Sequence, residues 1–126
     1  MTETTSAMPC RVLVVEDDPA SRHALLRLLK HRGWSTLAAE TVSQALASLH
    51  ARPACIILDL MLPDGNGAAV LRYIRANNLP IRVAVATGTH DPAMLSEVEA
   101  LGPDALYRKP IDFEAVSAWL SAPAVP

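Results

Sequence analysis

Cysteine is scarce: Cys10 and Cys55 are the only two in the chain. They are too few for a disulfide framework, and both open apolar runs, where a cysteine behaves as a small core hydrophobe. Long hydrophobic runs are missing too. No stretch approaches the roughly 18 apolar residues that span a bilayer, and the opening "MTETTSAMPC" has neither the basic start nor the apolar segment of a secretory signal. These absences predict a cytoplasmic protein with no membrane partner. An excess of either charge is also lacking. The formal net charge of -2 gives no general attraction to nucleic acid or anionic lipid. Histidines are scattered at His23, His31, His50 and His90, the first three on expected helices, and none pairs with another His or Cys at zinc-ligand spacing. Each reads as a surface or helix-face residue. Solenoid repeats are absent, as are low-complexity tracts away from the ends.

What is present suits one domain that buries a real core: 126 residues, 51% hydrophobic and 19% charged. "RVLVVE" and "ACIILD" are short, uninterrupted runs of the kind covered on both faces in a parallel sheet. "IRVAVAT" and the weaker "WSTLAAE" and "DALYRK" are further strand candidates. Between them, "PASRHALLRLLKHRG" places Leu25, Leu26, Leu28 and Leu29 on one side, with Pro19 near its start and Gly33 as its stop. "TVSQALASLHAR", "GAAVLRYIRANN", "DPAMLSEVEALG" and "DFEAVSAWLSA" complete five helices, the last capped by Asp112. Strand then helix, five times over, predicts an α/β fold with a parallel sheet and helices on both faces. Residues 1–9 read as an arm, 10–121 as the domain and 122–126 as a tail or the start of a linker.

In such a sheet the functional crevice lies at the carboxyl ends of the strands. The first strand ends in Glu16, Asp17 and Asp18, the third in Asp59, the fourth in Thr87 and Gly88, and the fifth in Lys109 and Pro110. Asp18 is equally placed to cap the helix that Pro19 opens. Close carboxylates repel unless they share a proton or a cation, and Mg²⁺ suits a few carboxylates with water or phosphate in its other positions. No twelve-residue calcium loop is present. A carboxylate beside Mg²⁺ can take a phosphoryl group as an aspartyl phosphate, while an ammonium and a hydroxyl offset the developing charge. Lys109 and Thr87 are those residue types, at the ends of flanking strands. Gly88 leaves space beside the hydroxyl, and Pro110 is a candidate for a cis peptide.

This constellation resembles the receiver domain of bacterial two-component response regulators. "VLVVEDDPASR", "IILDLMLPDGNG", "VAVATGT" and "YRKP" carry the resemblance, which covers residues 11–121. It implies a flavodoxin-like (βα)5 three-layer sandwich with a parallel five-stranded sheet of order 2-1-3-4-5. It also implies that Asp59 is the phosphoacceptor and that Glu16 and Asp17 are the acidic pair for Mg²⁺. Asp17 and Asp59 would bind the metal directly, Glu16 through water, and Met61 would add its backbone carbonyl. Thr87 matches the switch hydroxyl and Lys109 the lysine that pairs with phosphoryl oxygens, whereas Met61 and Thr89 fall where side chains influence phosphoryl lifetime. Two positions depart from the pattern. Leu106 stands where the family often has the aromatic that follows the switch hydroxyl, with Tyr107 next, and Ile111 replaces a frequent Phe.

The resemblance implies a sensor histidine kinase or a histidine phosphotransfer protein as phosphoryl donor. The domain would be a self-catalysing switch rather than an enzyme with an external substrate, acting on a downstream protein, on an output domain outside this sequence, or by homodimerisation. No DNA-binding, nuclease, cyclase or kinase sequence follows residue 121, so no nucleic-acid partner is expected for this chain. A haloacid-dehalogenase-type phosphatase would need an acid/base carboxylate two residues after Asp59, and Met61 stands there. A flavin module on the same fold would need phosphate donors where "EDDPAS" puts three negative charges. A receiver fold used mainly for docking or dimerisation, with phosphorylation secondary, is the remaining alternative.

Overall fold

The computed structural model describes residues 11–122; Cys10, the expected arm at 1–9 and the tail beyond residue 122 lie outside the described residues. Five strands, β1 (Arg11–Val15), β2 (Ser35–Ala39), β3 (Cys55–Leu58), β4 (Arg82–Thr87) and β5 (Ala105–Arg108), form one sheet of order β2-β1-β3-β4-β5. All four pairings are parallel. They alternate with α1 (Pro19–His31), α2 (Val42–Ser48), α3 (Ala68–Ala76), α4 (Pro92–Ala100) and α5 (Phe113–Ser121). The expected order 2-1-3-4-5 is the one observed.

Strand alternation divides the core in two. Leu13 and Val15 of β1, Ile56 and Leu58 of β3 and Val83 and Val85 of β4 point to one side, where Ala45 of α2, Val70, Leu71 and Ile74 of α3 and Val98 of α4 cover them. Val12, Val14, Ile57 and Ala86 point to the other, under Leu25 and Leu29 of α1 and Val116 and Leu120 of α5. A strand buried on both faces has no polar side to alternate with. That is why β1 and β3 read as continuous apolar runs.

Two helices differ from expectation. In α1 the buried stripe is Arg22, Leu25 and Leu29, while Leu28 is 43% exposed, because it lies about 100° around the helix from Leu29. The expected helix over 41–52 stops as α-helix at Ser48, tightens into a 3₁₀ turn at Leu49–Ala51 and ends on Arg52 at φ 55. Pro53 follows, and the residue before a proline is pushed out of the right-handed helical region. The connection after β3 contains a further element, an antiparallel pairing of Met61–Leu62 with Gly65–Asn66, whose turn places Gly65 at φ 149.

Leu71→Ala, at a fully buried position, is expected to cost about 2–5 kcal/mol of unfolding free energy in urea titration. Leu28→Ala is expected to stay within about 0.5 kcal/mol of the parent. Equal costs at the two positions would contradict the burial assigned to α1.

Candidate functional site

Asp59, Glu16 and Lys109 each stand one residue beyond a strand. The Glu16 and Asp59 side chains are almost buried, Thr87 is 1% exposed, and Asp17 is open to solvent. Ligand-capable oxygens of Glu16, Asp17 and Asp59 all lie within 4.8 Å of one another, the one such cluster among the described residues. The donor set is all oxygen, without imidazole or thiolate, and fits a hard divalent cation such as Mg²⁺. Lys109 reaches the same place from β5, its Nζ donating to Glu16 Oε1 at 2.5 Å and to Asp59 Oδ2 at 3.3 Å. Burial pulls the Lys109 pKa down, but the Glu16 hydrogen bond and the charges of Asp59 and Glu16 outweigh it, so the net shift is upward. The ammonium therefore stays charged where two carboxylates need it.

Asp18 is the acidic neighbour that does something else. Its Oδ2 accepts from the Ser21 N–H at 2.9 Å and caps α1, and the hydrogen bonds from Ser21 hold its carboxyl below the usual range. The turn after Asp59 is set by backbone contact. Gly67 donates to the Leu60 carbonyl at 2.7 Å, and a Cβ on Gly67 would lie 2.0 Å from the Asp59 carbonyl oxygen, so only glycine allows this approach. Met61 donates its N–H to Asp59 Oδ1 at 3.3 Å and leaves its side chain 59% exposed.

On the other side of Asp59, Thr87 Oγ1 accepts from the Thr89 N–H (3.1 Å) and Thr89 Oγ1 from the Asp91 N–H (3.2 Å). Asp91 in turn caps α4 through the Ala93 N–H (3.0 Å). The hydroxyl is thus tied stepwise to a helix start. A Cβ on Gly88 would meet nothing within 4 Å, so the space beside the residue after Thr87 is open. The Lys109–Pro110 peptide is cis, as expected. All four histidines are exposed, and His90 pairs with Arg108 at 2.8 Å. Leu106 is exposed on β5, whereas Tyr107 packs into the core under α1 and α5; successive strand side chains face opposite sides, so Tyr107 cannot stand in for the missing aromatic.

The family model for the response regulator receiver domain matches residues 12–121. The photosynthetic apparatus regulatory protein RegA of Rhodobacter capsulatus is 35% identical over 112 residues, covering 88% of this chain and 61% of that protein. The transcriptional regulatory protein TcrX of Mycobacterium tuberculosis is 33% identical over 90% of this chain and 49% of its own length. This chain therefore spans about half to three-fifths of these relatives. Among solved structures, a response regulator of Burkholderia pseudomallei with a phosphorylated aspartic acid, calcium ion and citrate is 25% identical, with TM-score 0.80 over 90% of this chain and 67% of that one.

Two residues that hold the site escaped the reading of the sequence. Arg22, which no motif singled out, is buried behind Glu16. Asp64, within the turn after Asp59, accepts from the Val42 N–H at 2.7 Å and the Ser43 N–H at 3.0 Å, capping α2 from another segment. "PDG" signals a turn, but nothing local links it to residues 42 and 43. These hydrogen bonds, Val42's foremost, hold the Asp64 carboxyl below its ordinary value. A depressed folded pKa stabilises above the unfolded value of about 3.9 and is lost as pH falls through the folded one. Asp64→Ala is expected to lower the melting temperature at pH 7, with the gap to the parent closing as pH drops below about 4; a gap independent of pH would contradict the capping role.

Proposed function

The chain belongs to the response regulator receiver domain family, and from that premise we propose that Asp59 takes a phosphoryl group from a phosphohistidine. The donor is a sensor histidine kinase or a histidine phosphotransfer protein in the cytoplasm. An Asp59 carboxylate oxygen attacks phosphorus in line, the P–N bond breaks with its electron pair remaining on the imidazole, and an aspartyl phosphate forms. Glu16, Asp17, Asp59 and the backbone carbonyl of Met61 are the groups to hold Mg²⁺, which when bound neutralises charge on the transferring oxygens. Lys109 moves its ammonium from the carboxylates to a phosphoryl oxygen. The domain thus serves as its own catalyst.

Thr87 hydrogen-bonds the new phosphoryl group, and its linkage through Thr89 to Asp91 carries that movement to the start of α4. Two surface arrangements then differ in population, to be read by a downstream protein, an output domain outside this sequence or a second copy of the chain. With Leu106 on the exposed side of β5, the readout runs through the α4 start and an aliphatic surface rather than through an aromatic rotamer.

The convergence of three carboxylates within 4.8 Å, two of them already bonded by Lys109, carries this reading. Incubation with Mg²⁺ and acetyl phosphate, or with a phosphorylated kinase, is expected to add the mass of one phosphoryl group, and EDTA to prevent it. Asp59→Asn is expected to abolish the addition. Unchanged modification of the Asn protein would refute the assignment of Asp59.

A further inference from the structure

We propose that Arg22 is a positioning residue for the metal and phosphoryl site, holding the backbone of Glu16 and Asp17 so that their carboxylates converge with Asp59. The inference rests on the receiver reading and adds to it a residue on α1 that does not itself touch the metal or the phosphoryl group. Arg22 is only 8% exposed, and a buried guanidinium requires partners. Its Nη1 donates to the Glu16 carbonyl at 3.0 Å and to the Asp17 carbonyl at 3.3 Å, and lies 3.7 Å from Glu40 Oε1. Those two carbonyls belong to the consecutive residues whose side chains join Asp59 in the acidic cluster. The loop is thus gripped from behind while its carboxylates face the site.

Other bonds complete the grip. The Glu16 N–H donates to the Ala39 carbonyl at 3.0 Å, and the Asp18 carbonyl accepts from the Arg22 N–H at 2.9 Å as α1 begins. Asp17 is the exposed carboxylate of the three, so backbone placement rather than packing fixes where it points. Hydrogen bonds from a charged donor are about twice as strong as neutral ones, which suits a loop whose own negative charges push it apart. The Glu40 contact is longer and its side chain is half exposed, so it adds little.

The sign of one effect separates this role from two simpler ones. A guanidinium acting only by its charge opposes a cation nearby, so removing it would tighten metal binding. A guanidinium acting only on folding would change thermal stability and leave metal affinity alone. Positioning requires that its loss weaken the metal site in a protein that remains folded.

The test is Mn²⁺ binding to the full chain, measured by the electron paramagnetic resonance signal of free Mn²⁺, alongside the melting temperature of the metal-free protein. Arg22→Met is expected to weaken Mn²⁺ about tenfold, the lower end of losses seen when groups orienting metal ligands are removed. Arg22→Lys, which restores a charged donor, is expected to recover most of that loss. If Arg22→Met does not fold, Arg22→Gln is judged by the same criterion. Affinity equal to or tighter than the parent in a folded neutral variant overturns the role of Arg22. Failure of the parent to bind Mn²⁺ at all would instead overturn the receiver reading of the acidic cluster.

Discussion

The hydrogen-bond ladder of the sheet runs one residue past the strands that deliver the site. The Asp59 N–H donates to the Val15 carbonyl at 3.0 Å, the Glu16 N–H to Ala39 at 3.0 Å and the Lys109 N–H to Thr87 at 2.9 Å. Each functional side chain therefore begins from backbone that the sheet has already placed. Because all the pairings are parallel, these positions share one edge, and residues far apart in sequence meet there. The apolar core on both faces is what holds that edge in register. A slip of one residue would turn every core side chain of a strand to the wrong face.

At that edge the fold accepts an electrostatic cost. Glu16 and Asp59 are nearly buried carboxylates, and buried charge persists only when paired. Lys109 bonds both, and the proposed mechanism has it turn from there to the phosphoryl group. Behind the cluster Arg22 bonds the backbone carbonyls of Glu16 and Asp17 rather than their carboxylates, leaving those side chains available to a cation. In the proposed mechanism two basic residues divide the work, Lys109 facing the phosphoryl group and Arg22 fixing the loop that carries Glu16 and Asp17.

Most of the fold was legible because the sheet is buried on both sides. β1 and β3 had no polar face to confuse the pattern, and their terminal carboxylates stood out against the apolar runs. The site followed from the order of segments, since parallel topology sends Glu16, Asp59, Thr87 and Lys109 to one edge. What stayed hidden depends on contacts between distant segments. Asp64 caps α2 across about twenty residues of chain, and Arg22 is buried by neighbours that helical periodicity does not name. Leu28 was misplaced because four leucines in five positions cannot all face the core. The end of α2 at Ser48 and the 3₁₀ turn after it precede Pro53, which keeps Arg52 out of the right-handed helical region although the apolar spacing runs on.

A crystal structure of the protein with Mg²⁺ and beryllium fluoride, a phosphoryl mimic, tests the central claim that these strand ends form one phosphoacceptor site. The account predicts the mimic on an Asp59 oxygen, the Lys109 ammonium moved from Glu16 to a fluorine, and the Thr87 hydroxyl turned toward another. A mimic bound to a different carboxylate, or Lys109 still held by Glu16 beside an occupied Asp59, would contradict it.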